Sequence, residues 1–76
     1  MTIEVEVHLF ANLRVGRFGT APVHLNSPAP VYAVLDVLGI SEAEIGAVFI
    51  NGRDGTFEQT LADGDRLTLL PSIGGG

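Results

Sequence analysis

Apolar and polar residues alternate along residues 2–10, Thr-Ile-Glu-Val-Glu-Val-His-Leu-Phe. Ile3, Val5, Val7 and Leu9 fall on one side, and Thr2, Glu4, Glu6 and His8 on the other. A period of two with β-branched residues predicts a half-buried strand. Residues 11–19 contain Asn12, Gly16 and Gly19 and read as a loop. Thr20 to Asn26 reads as a second strand, with Val23 and Leu25 on one face, expected to pair with the first as a hairpin. After Ser27-Pro28-Ala29-Pro30 the period changes. Val31, Val34, Leu35 and Leu38 recur at helical spacing and predict a helix whose first turn accommodates the prolines. Gly39 suits the position after its last turn. Ser41-Glu42-Ala43-Glu44 has the spacing of a capping box and is expected to open a further short helical turn.

Residues 47–50 form a short apolar strand that stops at Asn51-Gly52, a tight-turn pair. A brief extended piece is expected around residues 56–58. Leu61 precedes a second turn, Asp63-Gly64-Asp65, whose chemistry accounts for both aspartates. Residues 67–70 are the final strand. Pro71, which has no amide hydrogen to give, is expected to end regular pairing. One helix against one face of a small mixed sheet is an α+β architecture. Periodicity alone leaves the strand order open.

Length and composition narrow the function. A chain of 76 residues makes one domain, and one of this size buries roughly 60% of the surface its unfolded form exposes. With 46% hydrophobic and 17% charged residues it is globular. No apolar run approaches the ~20 residues of a membrane-spanning helix, and the N-terminus lacks the pattern of a signal peptide. A cytoplasmic protein that does not engage membranes is expected. There is no Cys, hence no disulfide, thiolate nucleophile or thiolate metal site. His8 and His24 are too few for a His-rich metal site and read as strand surface, so no metal is expected. The net charge is −5, and the four basic residues are Arg14, Arg17, Arg53 and Arg66. That balance disfavours nucleic acid and favours a basic protein partner. Arg14 and Arg17 read as solvated loop residues, with partner contact as the other use.

The chain closes on Gly74-Gly75-Gly76. Glycine carries no side chain and has the least restricted backbone. Residues 72–76 are therefore expected to form a flexible tail on a domain of residues 1–71, thin enough to enter a narrow channel in another protein. The alternative is a frayed end without function. With no catalytic inventory elsewhere, the terminal carboxylate of Gly76 is the candidate reactive group, and Gly74 and Gly75 the segment threaded behind it. The absence of Lys admits two readings, compositional bias or protection of an activated C-terminus from an amine on the same chain. A phosphate-cradling glycine loop is rejected, because no helix follows these glycines.

Several segments resemble the MoaD/ThiS-type sulfur-carrier family. Leu9-Phe10-Ala11-Asn12-Leu13-Arg14 is similar to the first strand and loop of molybdopterin synthase small subunits. Ile50-Asn51-Gly52 resembles the turn shared by MoaD-type and ThiS-type carriers. Leu61 to Leu67, followed by Leu70-Pro71-Ser72-Ile73-Gly74-Gly75-Gly76, is similar to their common ending. The chain departs from the MoaD type in having Pro71 alone before the tail, an added Gly74, and no acidic helical turn in residues 15–20. The resemblance implies a ubiquitin-like β-grasp fold, with the last strand beside the first. It implies a ubiquitin-activating-like adenylyltransferase that binds ATP and Mg²⁺ and adenylates Gly76, so that the chain itself holds no stable cofactor and catalyses nothing alone. A thiocarboxylate on Gly76 would then donate sulfur. Molybdopterin biosynthesis, with the synthase large subunit or another sulfur acceptor as partner, is favoured by residues 9–14 and Pro71. The alternatives are a thiamine-pathway carrier and a ubiquitin-like modifier joined to targets through its terminal glycine.

In a β-grasp sheet, Phe10, Phe49 and Leu70 lie on the face opposite Leu9, Val48, Ile50 and Leu69. They are candidates, with Pro71 and Ile73, for a partner-binding patch leading to the tail. Local cover of the sheet edge is the other reading.

Overall fold

The computed structural model describes residues 1–72. Ile73, Gly74, Gly75 and Gly76 lie outside the described residues. A five-stranded mixed sheet carries one helix on its inner face. The elements are β1 (Thr2–Leu9), β2 (Thr20–Asn26), β3 (Ala29–Pro30), α1 (Val31–Leu38), β4 (Ile45–Ile50), β5 (Arg53–Asp54), β6 (Thr60–Leu61) and β7 (Arg66–Pro71). The main sheet runs β2-β1-β7-β4-β5, and β3 and β6 form a separate two-stranded ladder. β1 and β2 are antiparallel, as expected of the hairpin. β7 returns parallel to β1, with Leu9 beside Leu69. This is the ubiquitin-like β-grasp arrangement.

Alternation along the strands builds the core. Ile3, Val5, Val7 and Leu9 of β1 and Leu67 and Leu69 of β7 face inward with Val48 and Ile50 of β4. Val31, Val34 and Leu35 of α1 cover them. Each such side chain contributes about 1.5–3 kcal/mol on burial, so the two central strands and the helix carry most of the stability.

Four expectations are corrected. The helix begins at Val31, not in the proline segment. Ala29 precedes a proline, whose ring disfavours helical backbone at that position. Ala29 and Pro30 therefore stay extended and pair with Leu61 and Thr60. The free amides at the helix start are met from that side: Val31 N–H donates to the Gln59 carbonyl and Tyr32 N–H to the Phe57 carbonyl, both at 3.0 Å. Residues 56–58 are not extended; the short strands lie on either side of them, at Arg53–Asp54 and Thr60–Leu61. Pro71 does not end pairing. It lies opposite Ile45 within β7, and the Ser72 N–H one residue later donates to the Glu44 carbonyl at 2.8 Å.

The fourth correction concerns residues 11–19. Ala11–Arg14 form a 3-10 turn that drops Leu13 fully into the core. Arg17 is not simply solvated. Its guanidinium donates to the carbonyls of Leu38 (3.1 Å), Leu13 (3.1 Å) and Gly39 (3.3 Å). It thereby satisfies carbonyls that the helix end leaves open. Gly39 itself takes the left-handed conformation, at φ 71°. Arg17→Ala is expected to cost about 2 kcal/mol, the scale of hydrogen bonds from a charged donor. The urea unfolding midpoint reads that loss.

The remaining local predictions hold. Ser41 and Glu44 make a reciprocal capping box around Glu42–Glu44. Asn51 and Gly52 both take positive φ, 54° and 81°, as a two-residue hairpin turn requires. Asp63 and Asp65 serve the turn between β6 and β7. Asp63 accepts from the Glu4 N–H, and Asp65 accepts from the Ala62 N–H and the Asn51 side-chain amide.

Candidate functional site

The outer face of the sheet divides into a polar half and an apolar half. On β1 and β2, Glu4 contacts His24, and the His8 ring contacts Glu6 and Thr20. Arg66 of β7 lies 3.6 Å from Glu6. Both histidines sit on the strand surface, paired with neighbours. No group of His, Cys, Asp or Glu among the described residues is arranged to hold a metal.

The apolar half starts where β1 ends. Phe10 leaves β1 on the outer side and is 43% exposed. Ala11 then takes a left-handed backbone, φ 52°, which turns the chain so that Leu13 enters the core while Phe10 stays out. Continuing the β1–β7 register past Leu9 and Leu69 brings Phe10 beside Leu70. Across β7, Leu70 lies opposite Ala47 and Thr68 opposite Phe49. Leu70 and Phe49 are thus diagonal neighbours on one face, at a spacing that long and aromatic side chains bridge. Phe49, Leu70, Ala47 and Pro71 are each half-buried. The strand order therefore brings Phe10, Leu70 and Phe49 together, and adds Ala47. Sequence reasoning passed over Ala47 because its small side chain carries little signal without the β4–β7 register.

The patch runs to Pro71 and Ser72 at the end of the described residues. β4 and β7 are irregular between Ile45 and Ala47. Gly46 fills that irregularity: a Cβ placed on it would lie 2.7 Å from the Pro71 carbonyl oxygen and 3.0 Å from the Ser72 Cα. Only glycine permits this close approach. With the Ser72–Glu44 hydrogen bond, Gly46 fixes the direction in which residue 72 leaves the sheet. Gly46→Ala is expected to force the two strands apart, at about 1–3 kcal/mol for overpacking against backbone. A thermal melt reads the stability, and the amide signal of Ser72 reads the lost bond to Glu44. The remaining candidates, Ile73, Gly74, Gly75 and Gly76, lie outside the described residues. No helix among the described residues is long and apolar enough to cross a membrane.

The chain matches the model of the ThiS family over residues 7–76. No curated protein sequence matches it significantly. Solved structures do. The Haloferax volcanii HVO 2177 protein is 28% identical, with a TM-score of 0.79 over 99% of this chain and 88% of that one. Small archaeal modifier protein 1 of Haloferax volcanii is 27% identical, with a TM-score of 0.76 over 93% of this chain and 99% of that one. The complex of subunits 1 and 2 of the molybdopterin-converting factor from Helicobacter pylori contains a chain 21% identical, with a TM-score of 0.61 over 97% of this chain and 100% of that one. At that identity the last likeness concerns the fold alone.

Proposed function

This chain belongs to the ThiS family, among the MoaD/ThiS-type ubiquitin-like sulfur carriers, and from that premise we propose that Gly76 carries the sulfur as a thiocarboxylate for molybdopterin biosynthesis. The observation that supports this reading most is the outer-face patch of Phe10, Leu70, Ala47 and Phe49, which is continuous with Pro71 and the exit of the tail. A patch in that place suits a partner that holds the domain while taking in the C-terminus.

The chemistry then divides between two proteins. A terminal carboxyl is ionised at neutral pH. Its oxygen attacks the α-phosphate of ATP held with Mg²⁺ by an adenylyltransferase, and pyrophosphate leaves. The acyl-adenylate is an electrophile where the free carboxylate is not. The terminal sulfur of a persulfide displaces AMP to form an acyl disulfide. A second thiol then attacks the persulfide's inner sulfur, becoming a disulfide with it and releasing the thiocarboxylate that donates sulfur in the active site of a large-subunit partner. This chain contributes a positioned carboxylate and no general base; charge stabilisation comes from the partner. Fixing each tail residue costs roughly 1–2 kcal/mol, which contacts at the patch offset.

A second reading has its own support. One structural neighbour is a small archaeal modifier protein at 27% identity, which favours attachment of Gly76 to amines on target proteins. Incubating the full chain with the activating enzyme of its own cells, ATP and a sulfur source separates the two. For the carrier, intact mass rises by the exchange of one oxygen for one sulfur. A modifier instead shifts to high-molecular-weight conjugates. An unchanged mass with no conjugates overturns both readings.

A further inference from the structure

A second surface lies on the opposite side of β4 from β7. β5 pairs with β4 only at Ile50–Arg53 and Phe49–Asp54. One more bond, from Gly55 N–H to the Val48 carbonyl at 2.9 Å, closes the hairpin. The chain then swings away, because the Phe57 carbonyl is committed to the start of α1. A wedge opens between residues 45–47 and residues 55–57. It is a groove of about 300 Å³ lined by Ile45, Ala47, Val48, Asp54, Thr56 and Phe57, among others. Ile45 and Phe57 are half-buried and pack against the core, which gives the groove an apolar side opposite a polar wall of Asp54 and Thr56. Over residues 45–47, β4 has no strand neighbour on this side among the described residues. An open strand edge beside a partly apolar groove is the geometry that accepts an added strand.

We propose that this groove binds an extended segment of a partner protein in which apolar residues alternate with Arg or Lys, the segment lying along β4 where β5 would run if it continued. Backbone bonds to β4 hold the segment, an apolar side chain packs on the apolar side, and a basic side chain reaches Asp54. Charge selects this occupant. Asp54 is exposed and makes no ion pair among the described residues, Glu58 is exposed close by in sequence, and the whole chain carries −5. A carboxylate at the groove wall attracts a basic strand and repels an acidic one. This docking mode is independent of the chemistry at Gly76, and the groove meets the outer-face patch at Ala47.

The test is a titration of the isotope-labelled full chain with the end-capped peptide Val-Arg-Val-Arg-Val, followed by amide chemical shifts. Saturable shifts confined to residues 45–48 and 54–57 are expected. Asp54→Lys, an exposed substitution that leaves the core untouched, is expected to weaken binding of this peptide by about tenfold or more, since attraction becomes repulsion. The same variant should gain affinity for Val-Glu-Val-Glu-Val, which the unaltered chain does not bind. No saturable shifts, shifts centred on Phe10, Phe49 and Leu70 instead, or equal binding of both peptides to both proteins would each overturn the proposal.

Discussion

A chain lacking Gly75 and Gly76 is expected to fold normally and to transfer no sulfur at all. The fold is expected to be untouched because, among the described residues, the last backbone tie is the Ser72 N–H to the Glu44 carbonyl and the last paired residue is Pro71. Among the described residues the core ends at Leu69. Function is lost because the proposed reacting atom is the C-terminal carboxyl itself, and a carboxyl on Gly74 would stop two residues short of the partner's nucleotide. A related variant separates reach from bulk. Gly75→Leu keeps the length and the carboxylate but adds a side chain where the channel is argued to be narrow. It should bind the activating enzyme and fail at adenylation, read as loss of ATP–pyrophosphate exchange. Full transfer by either variant would move the reactive group away from the tail.

The second large effect is expected at Leu70. Its side chain is on the outer face beside Ala47 and Phe49, on the side to which Phe10 leaves the end of β1. Leu70→Glu leaves Leu67 and Leu69 in place, so the melting temperature should stay within a few degrees. At a partner interface the new carboxylate must be stripped of water among apolar groups. Loss of a central contact of this kind costs about 2 kcal/mol or more, roughly thirtyfold in Kd. Isothermal titration against the native activating enzyme reads that change. A Kd equal to that of the unaltered chain would mean that Phe10 and Leu70 only cover the sheet locally.

The fold was legible in the sequence wherever one residue's neighbours decide its conformation. The alternation at Ile3, Val5, Val7 and Leu9, the span Thr20–Asn26, the Gly39 cap, the Ser41–Glu44 box and the Asn51-Gly52 turn are all local signals, and all appear as expected. What the sequence hid depends on distant partners. Pro28 and Pro30 look like a helix start, yet Ala29 and Pro30 pair with Leu61 and Thr60 from the far side of the chain. Arg17 looks like a solvated loop charge, and its role depends on the end of a helix twenty-one residues away at Leu38. Pro71 looks like a strand terminator. It remains in the ladder because the irregularity at Gly46 accommodates it. For the candidate site, Phe10, Phe49 and Leu70 were visible as residues, but their adjacency needed the β1-β7-β4 order, which came through family resemblance and not through periodicity.

The position of the sulfur tests the central claim most directly. The full chain, after reaction with its activating enzyme, ATP, a persulfide donor and a reducing thiol, is fragmented in the mass spectrometer and the sulfur-for-oxygen exchange is localised. The exchange is expected on Gly76 alone, and it disappears when ATP is withheld. Sulfur found on any other residue, or a Gly76 carboxylate that stays oxygen-only while sulfur is still delivered to the acceptor, would contradict that claim.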